Sequence, residues 1–117
     1  MVAQRYVLVV EDDVDTRQII SDYLRRTHPD VREACDGASA LALLESEGPP
    51  MVMITDILMP GVLGTSVVEY LHLMPVLRDV PIAFVTGSPQ LAPAGYRVFT
   101  KPAKLLDLSQ FVAAHVT

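Results

Sequence analysis

Five side chains that together could bind a phosphoryl group stand at the ends of short apolar segments. They are the carboxylates of Glu11, Asp12 and Asp56, the hydroxyl of Thr86 and the ammonium of Lys101. Carboxylates that lie close together repel one another and raise each other's pKa unless a cation lies between them. Oxygen ligands suit Mg²⁺, which commonly binds phosphate oxygens as well. The residue types therefore predict a magnesium site at which a hydroxyl and an ammonium bind phosphoryl oxygens.

Each of these side chains needs a strand to position it, and the hydrophobic pattern predicts five strands. Short apolar segments alternate with longer amphipathic ones, as strands alternate with helices. Strands are predicted at 6–10, 31–34, 51–55, 81–85 and 96–100, and helices at 13–27, 38–46, 65–74 and 103–115. This order predicts an α/β fold with a single doubly wound five-stranded parallel sheet. Because ligands bind outside the carboxyl ends of such strands, the five side chains are expected to converge at one edge.

The segment between Thr86 and the last predicted strand breaks this alternation. It contains Gly87, Pro89, Pro93 and Gly95, and a proline inside a helix costs ~3 kcal/mol. Glycine adds an entropic cost to helix formation. The alternating order would place a helix here, before the one predicted at 103–115. This helix, the fourth of that order, is therefore expected to be shortened or absent, with a loop or at most one helical turn in its place.

Composition limits the kinds of protein that this chain can be. Its 117 residues are 50% hydrophobic and carry a net charge of −5, which predicts a single folded domain over 1–117. The acidic balance argues against binding to nucleic acid or to an anionic membrane surface. No apolar run approaches the ~18 residues of a transmembrane helix, and no leader pattern is visible at the start. The single cysteine excludes an internal disulfide, so we expect a cytoplasmic domain.

Some charged side chains near the candidate site have simpler explanations. Asp13 is interpreted as the N-cap of the first helix, where its carboxylate would accept a backbone hydrogen bond. The two acids before it could likewise be favoured by the dipole of that helix. Arg17 and the pair at 25–26 are interpreted as part of a solvated helix face.

Four motifs in this order resemble the receiver domain of bacterial response regulators along nearly the whole chain. They are Leu8–Asp12, Asp56–Gly61 with Gly64 after it, Phe84–Gly87 and Phe99–Pro102. The resemblance implies a flavodoxin-like fold in which Asp56 is the phosphoacceptor. It also implies that Glu11 and Asp12 hold Mg²⁺ together with Asp56 and the backbone carbonyl of Leu58.

The same resemblance implies a signalling switch. Asp56 would take a phosphoryl group from a phosphohistidine on a histidine kinase or a histidine phosphotransfer protein. Thr86 and Lys101 would contact the transferred group, and the first helix would be a candidate docking face for the kinase. Such a protein catalyses only its own phosphorylation and dephosphorylation, so it is not an enzyme that acts on a separate substrate.

Two departures from the receiver pattern bear on how a signal would leave the domain. The motif Phe84–Gly87 and the short segment after it resemble the FAT GUY subset of receivers. The aromatic residue that receivers carry three positions before the lysine is Val98 here, and Tyr96 lies two positions earlier. The chain is therefore expected to be monomeric, or to dimerise through a face other than that of the fourth helix.

Other classes of protein share parts of this pattern. A phosphohydrolase with an aspartyl nucleophile would also place Asp56 after an apolar strand, but it usually carries a second aspartate where this chain has Leu58. A dinucleotide-binding fold needs a glycine-rich turn after the first strand, where this chain has Glu11 and Asp12. The phosphohydrolase remains an alternative, and so does a pseudo-receiver that binds a partner without being phosphorylated.

Overall fold

All five predicted strands and all four predicted helices form in the computed structural model, which describes residues 6–115. The strands are β1 (Val7–Val10), β2 (Val31–Ala34), β3 (Val52–Thr55), β4 (Ile82–Thr86) and β5 (Arg97–Thr100). The helices are α1 (Val14–Leu24), α2 (Gly37–Glu47), α3 (Gly64–Leu73) and α4 (Leu105–Ala113). Within the described part of the chain, none of these helices is long and apolar enough to cross a membrane. The two ends of the predicted unit 1–117 lie outside the described residues.

The five strands form one parallel sheet in the order β2-β1-β3-β4-β5, as the predicted doubly wound fold requires. In the pair of β1 and β3, Val10 lies opposite Thr55, so the chain leaves both strands at the same level. Glu11 and Asp56 therefore follow side by side at the carboxyl edge. The backbone N–H of Asp56 donates to the carbonyl of Val10 at 3.0 Å. This is the point where the strand order reverses, which is where such sheets bind ligands.

Helices cover both faces of the sheet, so the central strands are buried throughout. On β1, Val7 and Val9 pack in the cluster that contains α1 and α4 side chains, while Leu8 and Val10 pack in the cluster of α2 and α3. Every residue of β1, β3 and β4 is buried, which explains why these strands are continuous apolar runs. Burial of each Val, Leu or Ile side chain contributes about 1.5–3 kcal/mol to the stability of the fold, so this core fixes the position of the carboxyl edge of the sheet.

The chain between β4 and β5 contains no α-helix. Its helical content is a single 3₁₀ turn at Pro89–Leu91, and no residue from 87 to 95 is buried. Gly95 has a φ of 93°, a left-handed conformation that glycine adopts without strain. The helix that the alternating order would place between β4 and β5 is therefore absent as expected, in agreement with the prolines that lack a backbone donor in this segment. The helix α4 is the one predicted at 103–115.

Candidate functional site

Asp56 lies directly after β3, and only 7% of the residue is exposed. Its Oδ1 accepts a hydrogen bond from the backbone N–H of Ile57 at 2.6 Å. Its Oδ2 accepts one from Nζ of Lys101 at 2.7 Å. Both carboxylate oxygens are thus oriented, one by the loop after β3 and the other by the lysine that follows β5.

Glu11 lies beside Asp56 and is the more deeply buried of the two acids, with 2% exposed. Its Oε1 is 2.7 Å from Nζ of Lys101, so one ammonium bridges both carboxylates. Its Oε2 accepts a hydrogen bond from the backbone N–H of Asp13 at 3.1 Å. Burial raises the pKa of Glu11, and the hydrogen bond from Lys101 opposes this shift. A carboxylate placed in this way gains from any cation brought close to it.

Lys101 carries the positive charge that balances part of this cluster. Burial lowers the pKa of Lys101, but its hydrogen bonds and ion pairs with Asp56 and Glu11 outweigh burial and raise the pKa above its ordinary value. The side chain is therefore an ammonium at neutral pH. Its backbone N–H donates to the carbonyl of Thr86 at 2.9 Å, which fixes Lys101 against the end of β4.

Asp12 completes an acidic cluster with Glu11 and Asp56. One carboxylate oxygen from each residue lies within 4.8 Å of the others, and Asp12 is exposed whereas the other two are buried. Three carboxylates against the single ammonium of Lys101 leave an excess of negative charge. Hard oxygen donors with one side open to solvent suit Mg²⁺, which retains several waters when bound. The donor set therefore fits this ion.

Thr86 and Leu58 are the two uncharged residues among the predicted site residues. Thr86 is the last residue of β4 and is buried, and its Oγ1 accepts a hydrogen bond from the backbone N–H of Ser88 at 3.0 Å. The hydroxyl proton of Thr86 is therefore left for another acceptor. Leu58 is 50% exposed. Because its side chain has no polar atom, only its carbonyl could serve as a ligand.

Gly64 begins α3 at the point where this helix meets the backbone of Asp56. Its N–H donates to the carbonyl of Ile57 at 2.9 Å. A Cβ atom at this position would lie 1.9 Å from the carbonyl oxygen of Asp56, far inside contact distance. Only a residue without a side chain allows the approach. Gly64 belongs to one of the sequence motifs, but nothing in that motif predicted this supporting role.

Arg17 does not lie on the solvated face that the sequence predicted for it. Only 17% of its side chain is exposed. Its Nη1 donates to the carbonyl of Glu11 at 2.8 Å, and its Nε donates to Oε1 of Glu33 on β2 at 3.2 Å. The prediction was wrong because helical periodicity does not say where a long side chain folds back. Asp13 caps α1 as predicted, with its Oδ2 accepting from the N–H of Thr16 at 2.8 Å.

Tyr96 is the aromatic side chain next to the segment that replaces the fourth helix. Its ring meets that of Phe84 edge-on, with the two centroids 5.6 Å apart. Its hydroxyl lies 2.6 Å from Nε2 of His72 on α3. Val98, at the position where receivers carry an aromatic residue, packs half-buried against the core on the α2 and α3 side of the sheet.

The sequence profile of the response regulator receiver domain family matches residues 7–110. The chain belongs to this family, and its five-stranded parallel sheet is the fold expected there. It is a receiver domain, the class of protein that serves as a phosphoacceptor switch in two-component signalling. The predicted family, fold and receiver function are therefore confirmed.

Individual relatives include both short and long proteins. The response regulator receiver protein CpdR of Brucella abortus is 31% identical over 109 residues, which cover 87% of this chain and 88% of that protein. The sensor histidine kinase TmoS of Ectopseudomonas mendocina is 38% identical over 86 residues, which cover 74% of this chain. The receiver domain of the hybrid histidine kinase CckA has a TM-score of 0.81 at 28% identity and covers 96% of this chain and 99% of that one. The chain spans between 9% and 33% of the length of the first curated relatives that it matches.

Proposed function

We propose that Asp56 accepts a phosphoryl group from a phosphohistidine, and that the phosphorylated chain is the signalling state of a two-component switch. The proposal is carried by the 2.7 Å contact of Asp56 with Lys101 beside two further carboxylates. In the transfer, the bond between phosphorus and the histidine nitrogen breaks, and the nitrogen keeps the electron pair. A bond between phosphorus and a carboxylate oxygen of Asp56 forms, which gives an acyl phosphate.

The acidic cluster would hold Mg²⁺ through Glu11, Asp12 and Asp56, with the backbone carbonyl of Leu58 as a further ligand. Bound there, Mg²⁺ would neutralise charge on the phosphoryl oxygens. The support is the donor set, which offers three carboxylate oxygens within 4.8 Å of one another and is open to solvent at Asp12. Burial of Glu11, which raises its pKa, adds support because a bound cation stabilises its charged form.

Lys101 and Thr86 would bind the phosphoryl oxygens once the group is attached to Asp56. The ammonium of Lys101 already contacts the carboxylate, so a short movement brings it to the oxygens of the attached group. The hydroxyl of Thr86 has its proton available for donation. Because Oγ1 of Thr86 also accepts from Ser88, movement of this hydroxyl would be passed to the segment at 87–95.

A histidine kinase or a histidine phosphotransfer protein is the proposed donor, and α1 is its proposed docking face. Val14 and Ile19 on this helix are apolar yet exposed. A cavity of about 460 Å³, lined in part by Ile19 and Pro102, opens beside Lys101. A partner would therefore find an apolar surface next to the reacting carboxylate. We infer a cytoplasmic location from this donor, because a kinase takes its phosphoryl group from ATP.

The proposed unit is a receiver domain over residues 1–117 that catalyses only its own phosphorylation and dephosphorylation. Leu58 argues against the phosphohydrolase alternative, because it puts an exposed aliphatic side chain where such enzymes carry a second acid. The single 3₁₀ turn between β4 and β5 supports membership of the FAT GUY subset. The same feature supports a monomer, or a dimer formed through a face other than that of the fourth helix.

The test is intact-protein mass spectrometry of the chain incubated with Mg²⁺ and acetyl phosphate, a small phosphodonor that needs no kinase. The unchanged chain is expected to gain one phosphoryl group, and a chelator of Mg²⁺ is expected to prevent the gain. Asp56→Asn should gain none, because its amide cannot form the acyl phosphate.

Asp13→Asn is the matched control, because Asp13 belongs to the same acidic run but serves as the cap of α1. Asparagine also caps helices, so this variant should fold and be phosphorylated normally. Equal yields from Asp56→Asn and the unchanged chain would overturn the assignment of Asp56. No phosphorylation of the unchanged chain, from either acetyl phosphate or a kinase, would favour the pseudo-receiver.

A further inference from the structure

The loop between β1 and α1 carries two of the three carboxylates of the acidic cluster. Asp12 is exposed, so its position depends on the residues on either side of it. On the C-terminal side, Asp13 is fixed as the cap of α1 through Thr16. On the N-terminal side, the backbone N–H of Glu11 donates to the carbonyl of Ala34 at 3.0 Å. The orientation of the Glu11 carbonyl group therefore determines the direction in which the chain continues to Asp12.

Arg17 holds that carbonyl. Its Nη1 donates to the Glu11 oxygen at 2.8 Å, and its Nε contacts Oε1 of Glu33 at 3.2 Å. A guanidinium has donors in a rigid planar fork, so Arg17 ties the loop to β2 with a fixed spacing. The side chain is mostly buried, which favours a role inside the fold over one on the solvent face.

We propose that Arg17 is a positioning residue for the divalent cation site at Glu11, Asp12 and Asp56. The inference rests on the proposed function, in which that site holds Mg²⁺. The Glu11 carbonyl belongs to the planar peptide unit that joins Glu11 to Asp12, so the hydrogen bond from Arg17 fixes the orientation of the whole unit. Without it, this peptide unit loses the hydrogen bond that orients it. Glu11 is still held by Lys101, but the exposed carboxylate of Asp12 loses its fixed direction toward Glu11 and Asp56.

Charge alone predicts the opposite effect, which makes the proposal testable. Arg17 is a cation close to an acidic cluster, so removal of its charge would strengthen the attraction of that cluster for Mg²⁺. Loss of a residue that orients metal ligands instead weakens binding, typically by 10- to 100-fold. Because the contact of Arg17 is to a backbone carbonyl rather than to a ligand atom, we expect a value near the lower end of this range.

The experiment is calorimetric titration of the unphosphorylated chain with Mg²⁺, which needs no phosphodonor. Arg17→Met is expected to bind Mg²⁺ about tenfold more weakly than the unchanged chain. Arg25→Met is the matched control, because Arg25 pairs with the same Glu33 at 2.9 Å but contacts Asp22 and not Glu11. Arg25 is the C-cap residue of α1 and also donates to the carbonyl of Val31 at 2.8 Å, so Arg25→Met removes an equal charge at the far end of the helix. The affinity of Arg25→Met for Mg²⁺ should be unchanged or slightly higher.

A second variant and a second measurement guard against misfolding of Arg17→Met. Arg17→Lys keeps the charge but has one nitrogen, which cannot hold both the Glu11 carbonyl and Glu33, so its binding of Mg²⁺ should also be weaker. In the metal-free protein, the N–H of Asp13 donates to Oε2 of Glu11. Its hydrogen exchange should be faster in both Arg17 variants and unchanged in Arg25→Met.

The outcomes separate this inference from the proposed function beneath it. Binding of Mg²⁺ by Arg17→Met that is as tight as in the unchanged chain, or tighter, overturns the positioning role and leaves the cation site intact. If the Arg17 and Arg25 variants both bind Mg²⁺ more weakly and to the same extent, the positioning role is also overturned. The effect would then come from the loss of an ion pair with Glu33, which both arginines make. No binding by the unchanged chain overturns the cation site itself and this inference with it.

Discussion

Two segments leave the carboxyl edge of the sheet from the neighbouring strands β3 and β4, and they are anchored very differently. After β3, Ile57 is buried, and Gly64 lies so close to the backbone of Asp56 that no side chain fits between them. After β4, no residue from 87 to 95 is buried, and the regular structure of this segment is limited to one 3₁₀ turn. The first segment is anchored in the core by the buried side chains of Ile57 and Met59, whereas the second has no buried residue and lies on the surface.

Phosphoryl transfer is proposed to occur at the well-packed segment after β3, whereas the structural response to phosphorylation is proposed for the loosely packed segment after β4. Phosphoryl transfer needs its groups held to within about an ångström, and the packed segment around Asp56 meets that need. A segment with few buried apolar contacts rearranges at a low free-energy cost, so residues 87–95 are able to respond to new charge. Thr86 connects the rigid sheet to the loosely packed segment, because it is buried at the end of β4 while its hydroxyl oxygen accepts a hydrogen bond from the N–H of Ser88.

The largest expected effect comes from filling the close contact in the first segment. In Gly64→Ala, the added Cβ would lie 1.9 Å from the carbonyl oxygen of Asp56, so α3 or the loop must move. We expect the free energy of unfolding to fall by about 1–3 kcal/mol, as in other overpacked cores. A shift of Asp56 by about 1 Å would slow its phosphorylation about 100-fold. Denaturant unfolding and the rate of phosphorylation by acetyl phosphate measure the two effects.

Gly87→Ala makes the same chemical change in the second segment and is the control. An added Cβ there meets no atom within 4 Å, and the φ of Gly87 lies outside the left-handed range. The free energy of unfolding should therefore stay unchanged or rise by up to about 1 kcal/mol, because alanine restricts the unfolded chain. Similar losses of stability or rate in both variants would remove the contrast between the segments.

A smaller effect is expected at Leu58, two residues after the proposed phosphoacceptor. Its half-exposed aliphatic side chain cannot hydrogen-bond a water molecule for attack on the phosphoryl group. In Leu58→Asn the amide can orient such a water, and one hydrogen bond worth ~1 kcal/mol corresponds to about fivefold in rate. The half-life of the phosphorylated chain, followed by mass spectrometry after the donor is removed, should shorten by about that factor.

Leu63→Asn is the control for polarity at this edge. Leu63 is also exposed and lies in the same segment, at the N-cap of α3, where asparagine is well tolerated. Its phosphoryl half-life should match that of the unchanged chain. An equal shortening in both variants would mean that a polar side chain anywhere in the segment admits water, and Leu58 would lose its specific role.

Most of the first segment's chemistry could be predicted from the sequence, because it depends on where strands end. The run 51–55 is apolar throughout, which identified a buried strand, and Asp56 follows it directly. The same reasoning identified Glu11 after β1 and Lys101 after β5, and the parallel order of the strands then brings the three together. The loss of a helix between β4 and β5 was equally predictable, because proline and glycine act through the local backbone.

The supporting contacts could not be predicted in this way, because they depend on distances across the fold. Nothing in the spacing of Gly64 says that the backbone of Asp56 will lie against it. The periodicity of α1 places Arg17 among polar residues, and only the packing of α1 on the sheet brings its guanidinium to the Glu11 carbonyl. Periodicity predicts which elements form, whereas such contacts follow from how the elements pack.

At the end of the second segment, the hydrogen bond between Tyr96, which follows this segment, and His72 on α3 offers a weaker test. Tyr96→Phe removes the 2.6 Å contact with His72 and keeps the edge-on packing of the ring against Phe84. Because one hydrogen bond is worth about 0.5–1.5 kcal/mol net, the free energy of unfolding should fall by at most that much. The rate of phosphorylation by acetyl phosphate should not change. A rate loss comparable to that of Gly64→Ala would show that the second segment also positions the reacting groups.

The smallest expected effect concerns self-association through the second segment. With beryllium fluoride as a mimic of the phosphoryl group, sedimentation velocity should show either a monomer or a dimer that does not use residues 87–95. Leu91→Asp alters an exposed apolar side chain in this segment, and Leu106→Asp alters one on α4. A packed helix presents a fixed surface for symmetric pairing, whereas one 3₁₀ turn does not, so Leu91→Asp should leave the sedimentation coefficient unchanged. A mimic-induced dimer that Leu91→Asp abolishes and Leu106→Asp preserves would show that the loosely packed segment is itself the interface.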